Sequence, residues 1–157
     1  MRKKLSQLLK NEKGLTLIEL LAVVVILGII AAIAVPSIGG LINNSKKDAH
    51  IANAEQMVNA ARLAVTANAD GIGEVTLEEL EKDGYLEPVE NPSGGTYHAT
   101  LSKVVVAKST TTDSDGNTVD DTGYTFTVTL VSNETGNGEH LSGQPKDIDR
   151  DDVILKP

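Results

Sequence analysis

Apolar and polar positions follow three successive patterns along this chain. Residues 15–35, LTLIELLAVVVILGIIAAIAV, carry a single charge, Glu19. As a helix rising about 1.5 Å per residue, a run of that length spans about 31 Å, the thickness of a bilayer's hydrocarbon core. Beyond Pro36 the apolar positions thin out to one face: Ala54, Met57, Val58, Ala61, Ala64 and Val65 recur at helical spacing. Lys46, Lys47, Asp48, Asn53, Asn59 and Arg62 occupy much of the remainder, which predicts an amphipathic helix over 36–70. The last third changes to period two. Tyr124, Phe126, Val128 and Leu130 alternate with Thr125, Thr127 and Thr129, the mark of a half-buried strand.

Local signals divide the segments. Asn68–Gly73 is a helix stop, and Thr76-Leu77-Glu78-Glu79 reads as a capping box that opens a short helix, with Gly84 as its C′ residue. Glu87–Gly95 is a loop by composition. Strands are predicted over Thr96–Lys108 and Gly123–Val131, joined by a turn around Asp115-Gly116-Asn117, with a third short strand at Val153–Leu155. The predicted class is α+β: one long N-terminal helix, then a small antiparallel sheet. The divisions are a basic segment, 1–14; an apolar helix, 15–35; its amphipathic continuation, 36–70; and an α+β head, 71–157.

Charge sharpens this division. Arg2, Lys3, Lys4, Lys10 and Lys13 precede the apolar run, so five of the 14 basic residues lie in the first 14 positions. That flank should stay cytoplasmic and direct the rest of the chain outward. Nine basic residues then face 21 acidic ones, which argues against direct nucleic-acid binding. With no cysteine, disulfides, thiolate metal sites and cysteine nucleophiles are excluded. One Phe, three Tyr and no Trp cannot line a large aromatic pocket.

A cleavable secretory signal ending at Ala32-Ile33-Ala34 also fits a basic flank and an apolar run. The length of that run, the carboxylate near its start and the helical pattern continuing beyond the bond all count against it. A permanent single-span anchor leaves Glu19 unexplained, since an ionisable group inside a bilayer costs about 2.5–3.5 kcal/mol. The junction Lys13-Gly14-Leu15-Thr16-Leu17-Ile18-Glu19-Leu20 resembles the class III leader junction of type IV prepilins and type II secretion pseudopilins. A basic leader, Gly at its last position, a TLIEL run and Glu at the fifth mature residue carry the likeness. Gly28 and Pro36 also resemble positions of that family's N-terminal helix. The first mature residue is Leu15, where the family most often has Phe or Met.

The resemblance implies a pilin-like fold and a course of events. A prepilin peptidase would cut between Gly14 and Leu15 and the new N-terminus, Leu15, would be N-methylated. The subunit would wait in the cell membrane as a single-pass protein. An inner-membrane platform with its ATPase would then draw it into a helical homopolymer at the cell surface, with minor pilins as companions. Glu19 would pair with the Leu15 amine of a neighbouring subunit, and the helix would bend or unwind between Gly28 and Pro36. Adhesion pili, secretion pseudopili and competence (DNA-uptake) filaments all fit that plan, and a membrane-anchored or secreted domain with another activity is a further class.

Other candidate chemistry is sparse. Asp113, Asp115, Asn117 and Asp121 occupy EF-hand positions, but Thr118 and Tyr124 stand where Gly and Glu are required, so a solvated turn is expected. Asp147, Asp149, Asp151 and Asp152 resemble in placement the calcium loop of some pseudopilins, and calcium is the one cofactor considered. His50, His98 and His140 lack metal-ligand spacing and are expected on the surface or in loops. No nucleophile elbow or comparable motif argues for an enzyme.

Overall fold

The computed structural model describes residues 17–67, 73–112, 118–133 and 138–155. Two compact units are distinguished, Met1–Leu41 and Ile42–Pro157. Helix α1, Leu17–Ala67, contributes residues to each. The second unit adds β1 (Gly73–Thr76), α2 (Leu77–Lys82), β2 (Lys103–Thr112), β3 (Thr118–Val131) and β4 (Glu139–Gly143). The four strands form one antiparallel sheet in the order β1-β2-β3-β4. A long N-terminal helix on a small antiparallel sheet is the α+β, pilin-like arrangement expected.

Periodicity explains the packing. Val104 pairs with Val128 and Val106 with Phe126, and alternation along each strand turns these side chains to one face. That face meets Ala54, Met57, Val58, Ala61, Ala64 and Val65 of α1, all buried. Met57 is the largest side chain that this face of α1 places in the core, beside four alanines. Leu77 and Leu80 of α2 and Leu130 and Leu141 of the sheet complete the core. Each such fully buried aliphatic side chain stabilises the fold by about 1.5–3 kcal/mol.

The capping box forms as read. The Thr76 hydroxyl accepts the Glu79 N–H at 3.3 Å, and the Glu79 carboxylate accepts the Thr76 N–H at 2.8 Å. The Thr76 N–H and the Thr76 hydroxyl, which also donates to the carboxylate at 2.9 Å, hold the Glu79 carboxyl below its ordinary range. Gly84 follows the C-cap Asp83 with φ of 77°, a left-handed conformation that favours glycine.

The strands differ from expectation in several places, and two of them are longer at the turn that joins them: β2 runs on to Thr112 rather than Lys108, and β3 begins at Thr118 rather than Gly123. β2 starts at Lys103 rather than Thr96; residues 96 and 97 instead make isolated bridges to Glu90 and Ser132. β1 was not anticipated, because Gly-Glu-Val-Thr is too short for any periodicity to show. The last strand is β4, where no strand is expected, and not Val153–Leu155, whose backbone tie to it is one bond from Ile154 N–H to the His140 carbonyl at 2.8 Å. The reason lies in a bulge: Leu130 pairs with Leu141 but Val131 pairs with Glu139, so His140 is the extra residue. Two successive side chains, His140 and Leu141, are consequently both buried, which hides the strand's alternation.

Candidate functional site

The first unit presents an apolar helix without a covering. Leu17 is 84% exposed, Leu27 58% and Ile33 68%. No part of its most apolar 18-residue window is buried within the molecule, and its length and composition suffice to cross a membrane. Glu19 lies in the first turn of α1, where the positive end of the helix dipole favours a carboxylate. Gly14 and Leu15, the expected scissile bond and methylation site, lie outside the described residues.

Gly28 and Pro36 both sit inside continuous helix. Proline lacks the N–H that would bond to Ala32, yet one missing bond does not interrupt so apolar a helix. Just beyond it the Ser37 hydroxyl donates to the Ile33 carbonyl at 3.1 Å. The opening from Gly28 to Val35 is what the resemblance implies for the filament, and in the single chain the helix is continuous there.

The C-terminal acidic group does not converge. The Asp149 carboxylate accepts the Asp151 N–H at 2.7 Å, and the Asp152 carboxylate accepts the Asp149 N–H at 2.9 Å. Asp147 lies 3.8 Å from Lys146. These carboxylates hold their own turn, a poor fit to the six to eight oxygens that calcium takes. Among the described residues no three His, Asp or Glu side chains are grouped to hold a metal ion. Asp113, Asp115 and Asn117 lie outside the described residues. The turn serves instead as a strap. Arg150 grips Asp48 of α1 with bonds of 2.5 and 2.6 Å, and Lys47 donates to the Arg150 carbonyl at 2.7 Å. The guanidinium holds the Asp48 carboxyl below its ordinary range, and its own pKa rises.

The histidines need a correction. His98 is half-buried and its Nδ1 accepts the Leu101 N–H at 3.3 Å, as a loop residue should. His50 and His140, expected on the surface, are instead 0% and 1% exposed. Their rings stack with centroids 4.3 Å apart, and Tyr97 meets both edge-on. His50 Nδ1 lies 2.6 Å from the Tyr97 hydroxyl and Nε2 lies 2.9 Å from the Ser93 hydroxyl. A signal for His50 was present: it precedes Ala54, Met57 and Ala61 on the same apolar face. His140 had none, because only the bulge turns it inward.

Comparison with known families places residues 9–35 in the prokaryotic N-terminal methylation motif. Neither curated proteins nor solved structures gave a match to the chain.

Proposed function

Since residues 9–35 carry the class III signal of type IV prepilins and pseudopilins, we propose that this chain is the structural, non-catalytic subunit of a type IV pilus-like filament at the cell surface. Prepilin peptidase removes residues 1–14 by cutting between Gly14 and Leu15, and the same kind of enzyme methylates the Leu15 amine. Glycine suits the last leader position because a chain without Cβ passes closely through a protease cleft.

The observation that carries the reading is the methylation motif, joined to an apolar helix whose side chains are exposed among the described residues. Exposed aliphatic side chains in such a row require either lipid or other protein. Lipid covers them before assembly. In the filament the same segments of neighbouring subunits replace it, drawn there by the assembly platform and its ATPase. There Glu19 meets the Leu15 amine of a neighbour. Opposite charges in an apolar interior attract strongly and are costly apart, so the pair fixes the axial register. Any unwinding between Gly28 and Pro36 belongs to this packed state, where neighbours re-satisfy the freed backbone groups.

Sheared cell-surface material, imaged by electron microscopy and identified by mass spectrometry, tests the proposal. Filaments with this chain as the main band, lost in a peptidase-null strain, are expected. A chain that stays in the membrane and acts normally without cleavage would overturn it. Short filaments that appear only with overexpression would assign it to a secretion pseudopilus.

A further inference from the structure

The assembly reading makes no use of the buried polar cluster around His50, which is independent of the methylation motif. Six side chains from three parts of the second unit meet there: His50 and Asn53 of α1, Asn91, Ser93 and Tyr97 of the 90–98 segment, and His140 of β4. We propose that the stacked His50–His140 pair is an acid-released latch, fastening the 90–98 segment and the C-terminal 153–155 segment to the head and freeing both when His50 gains a second ring proton.

The hydrogen bonds fix what each ring can do. Ser93 N–H donates to Asn91 Oδ1 at 2.9 Å, which turns Asn91 Nδ2 toward His140 Nε2 at 3.3 Å. His140 Nδ1 faces the Ile154 carbonyl, an acceptor only, at 2.8 Å. His140 is thereby the Nδ1–H tautomer, with Nε2 accepting. Asn53 is set in the same way: Nδ2 donates to the Glu90 carbonyl at 2.9 Å and to the Tyr97 hydroxyl at 3.1 Å. The Tyr97 O–H accordingly donates to His50 Nδ1, and His50 Nε2–H donates to Ser93. Each hydrogen has an acceptor only while His50 is neutral. A proton on Nδ1 would turn a donor toward Tyr97 and strand that residue's own hydrogen in a buried site.

The electrostatic surroundings act in the same direction. The titratable groups facing His50 are Lys46 on its own helix, His140 across the stack and Tyr97 from the 90–98 segment. Among the described residues no carboxylate lies within ion-pair distance of either ring. Burial first, then His140 and Lys46, push the His50 pKa from 6.5 down to about 4. Burial also raises the Tyr97 hydroxyl to about 12, so it remains a donor throughout. An unfolded His50 takes its proton near pH 6.5 and the folded one near 4, about a 300-fold difference in proton affinity. The latch is therefore at full strength above about pH 6.5 and weakens as pH falls toward 4. The Asp48–Arg150 fastening nearby outlasts it, because the guanidinium keeps that carboxylate ionised to lower pH.

Histidine-labelled full-length chain in detergent micelles tests the latch, by imidazole NMR and amide hydrogen exchange from pH 7.5 to 3.5. His50 should stay neutral until about pH 5. Protection factors at 91–98 and 153–155, each taken against the intrinsic exchange rate at that pH, should fall progressively below about pH 6.5 and by at least tenfold at pH 4.5, while the β2–β3 ladder keeps its protection. In His50→Gln the protection factors of both segments should change less than twofold between pH 7 and 4.5. Tyr97→Phe, which removes the donor to Nδ1 and keeps the ring, should raise the His50 midpoint and carries the test if His50→Gln does not fold. A His50 midpoint near 6.5 with both segments still protected overturns the proposal. So does release at an unchanged pH in His50→Gln, or an unchanged His50 midpoint in Tyr97→Phe.

Discussion

Residues 17–41 and residues 42–155 use aliphatic side chains in opposite ways. In the first stretch Leu20, Leu21, Val24, Ile26 and Ile30 are all more than half exposed. In the second Leu80, Val104, Val128 and Leu130 are wholly buried. The head satisfies its own hydrophobic demand by folding, whereas residues 17–41 present one helix whose aliphatic side chains stay exposed among the described residues. Foldedness and completeness are separate properties here. The head has a closed core, and the helix needs lipid or its like.

Glu19→Ala should produce the largest effect on function and almost none on the head. Removing the carboxylate eases membrane insertion by about 2–3 kcal/mol. It leaves untouched the core, which begins at Ala54. Cleavage should persist, while sheared filaments measured by immunoblot should fall to a few per cent or less. Normal filament yield would show that apolar packing alone sets the register.

A paired substitution probes the contrast itself. Leu80→Ala should lower head stability by about 2–5 kcal/mol in denaturant unfolding of the micelle-bound chain, because it leaves a cavity in a closed core. Leu27→Ala, 58% exposed, should leave that transition in place. Equal effects would dissolve the distinction between the two regions.

Smaller effects reside in the local devices. Thr76→Ala removes both side-chain bonds of the capping box and should cost about 1 kcal/mol by the same measurement. Chelator against calcium should leave the melting temperature of the head unchanged, since Asp149 and Asp152 already hold their own turn. A calcium-dependent rise of several degrees would show that the acidic turn reorganises around the ion.

Much of this was legible in the residues, for definite reasons. The Thr76–Glu79 box and Gly84 are short-range signals whose partners lie within a few positions, so sequence alone specifies them. The buried face of α1 follows from a sustained 3.6-residue period. β4 and the histidine pair were not legible, because both depend on which strand the chain meets far away. A bulge opposite Leu130 and Val131 turns His140 inward, and no local pattern announces a bulge. His50 shared the apolar face, yet its type argued for solvent until His140, Tyr97 and Ser93 were seen around it. In the 147–152 turn composition shows the acidic residues but not that Asp149 and Asp152 accept backbone N–H groups of the turn itself.

If the apolar helix is, as proposed, a mature N-terminus made for assembly, the terminal residue itself must show it. Mass spectrometry of the N-terminal peptide of the membrane-extracted chain should find Leu15 first, carrying one added methyl group. A chain that begins at Val35 would identify residues 1–34 as an ordinary secretory signal, and one that keeps Met1–Gly14 would identify a permanent anchor; either would contradict the account.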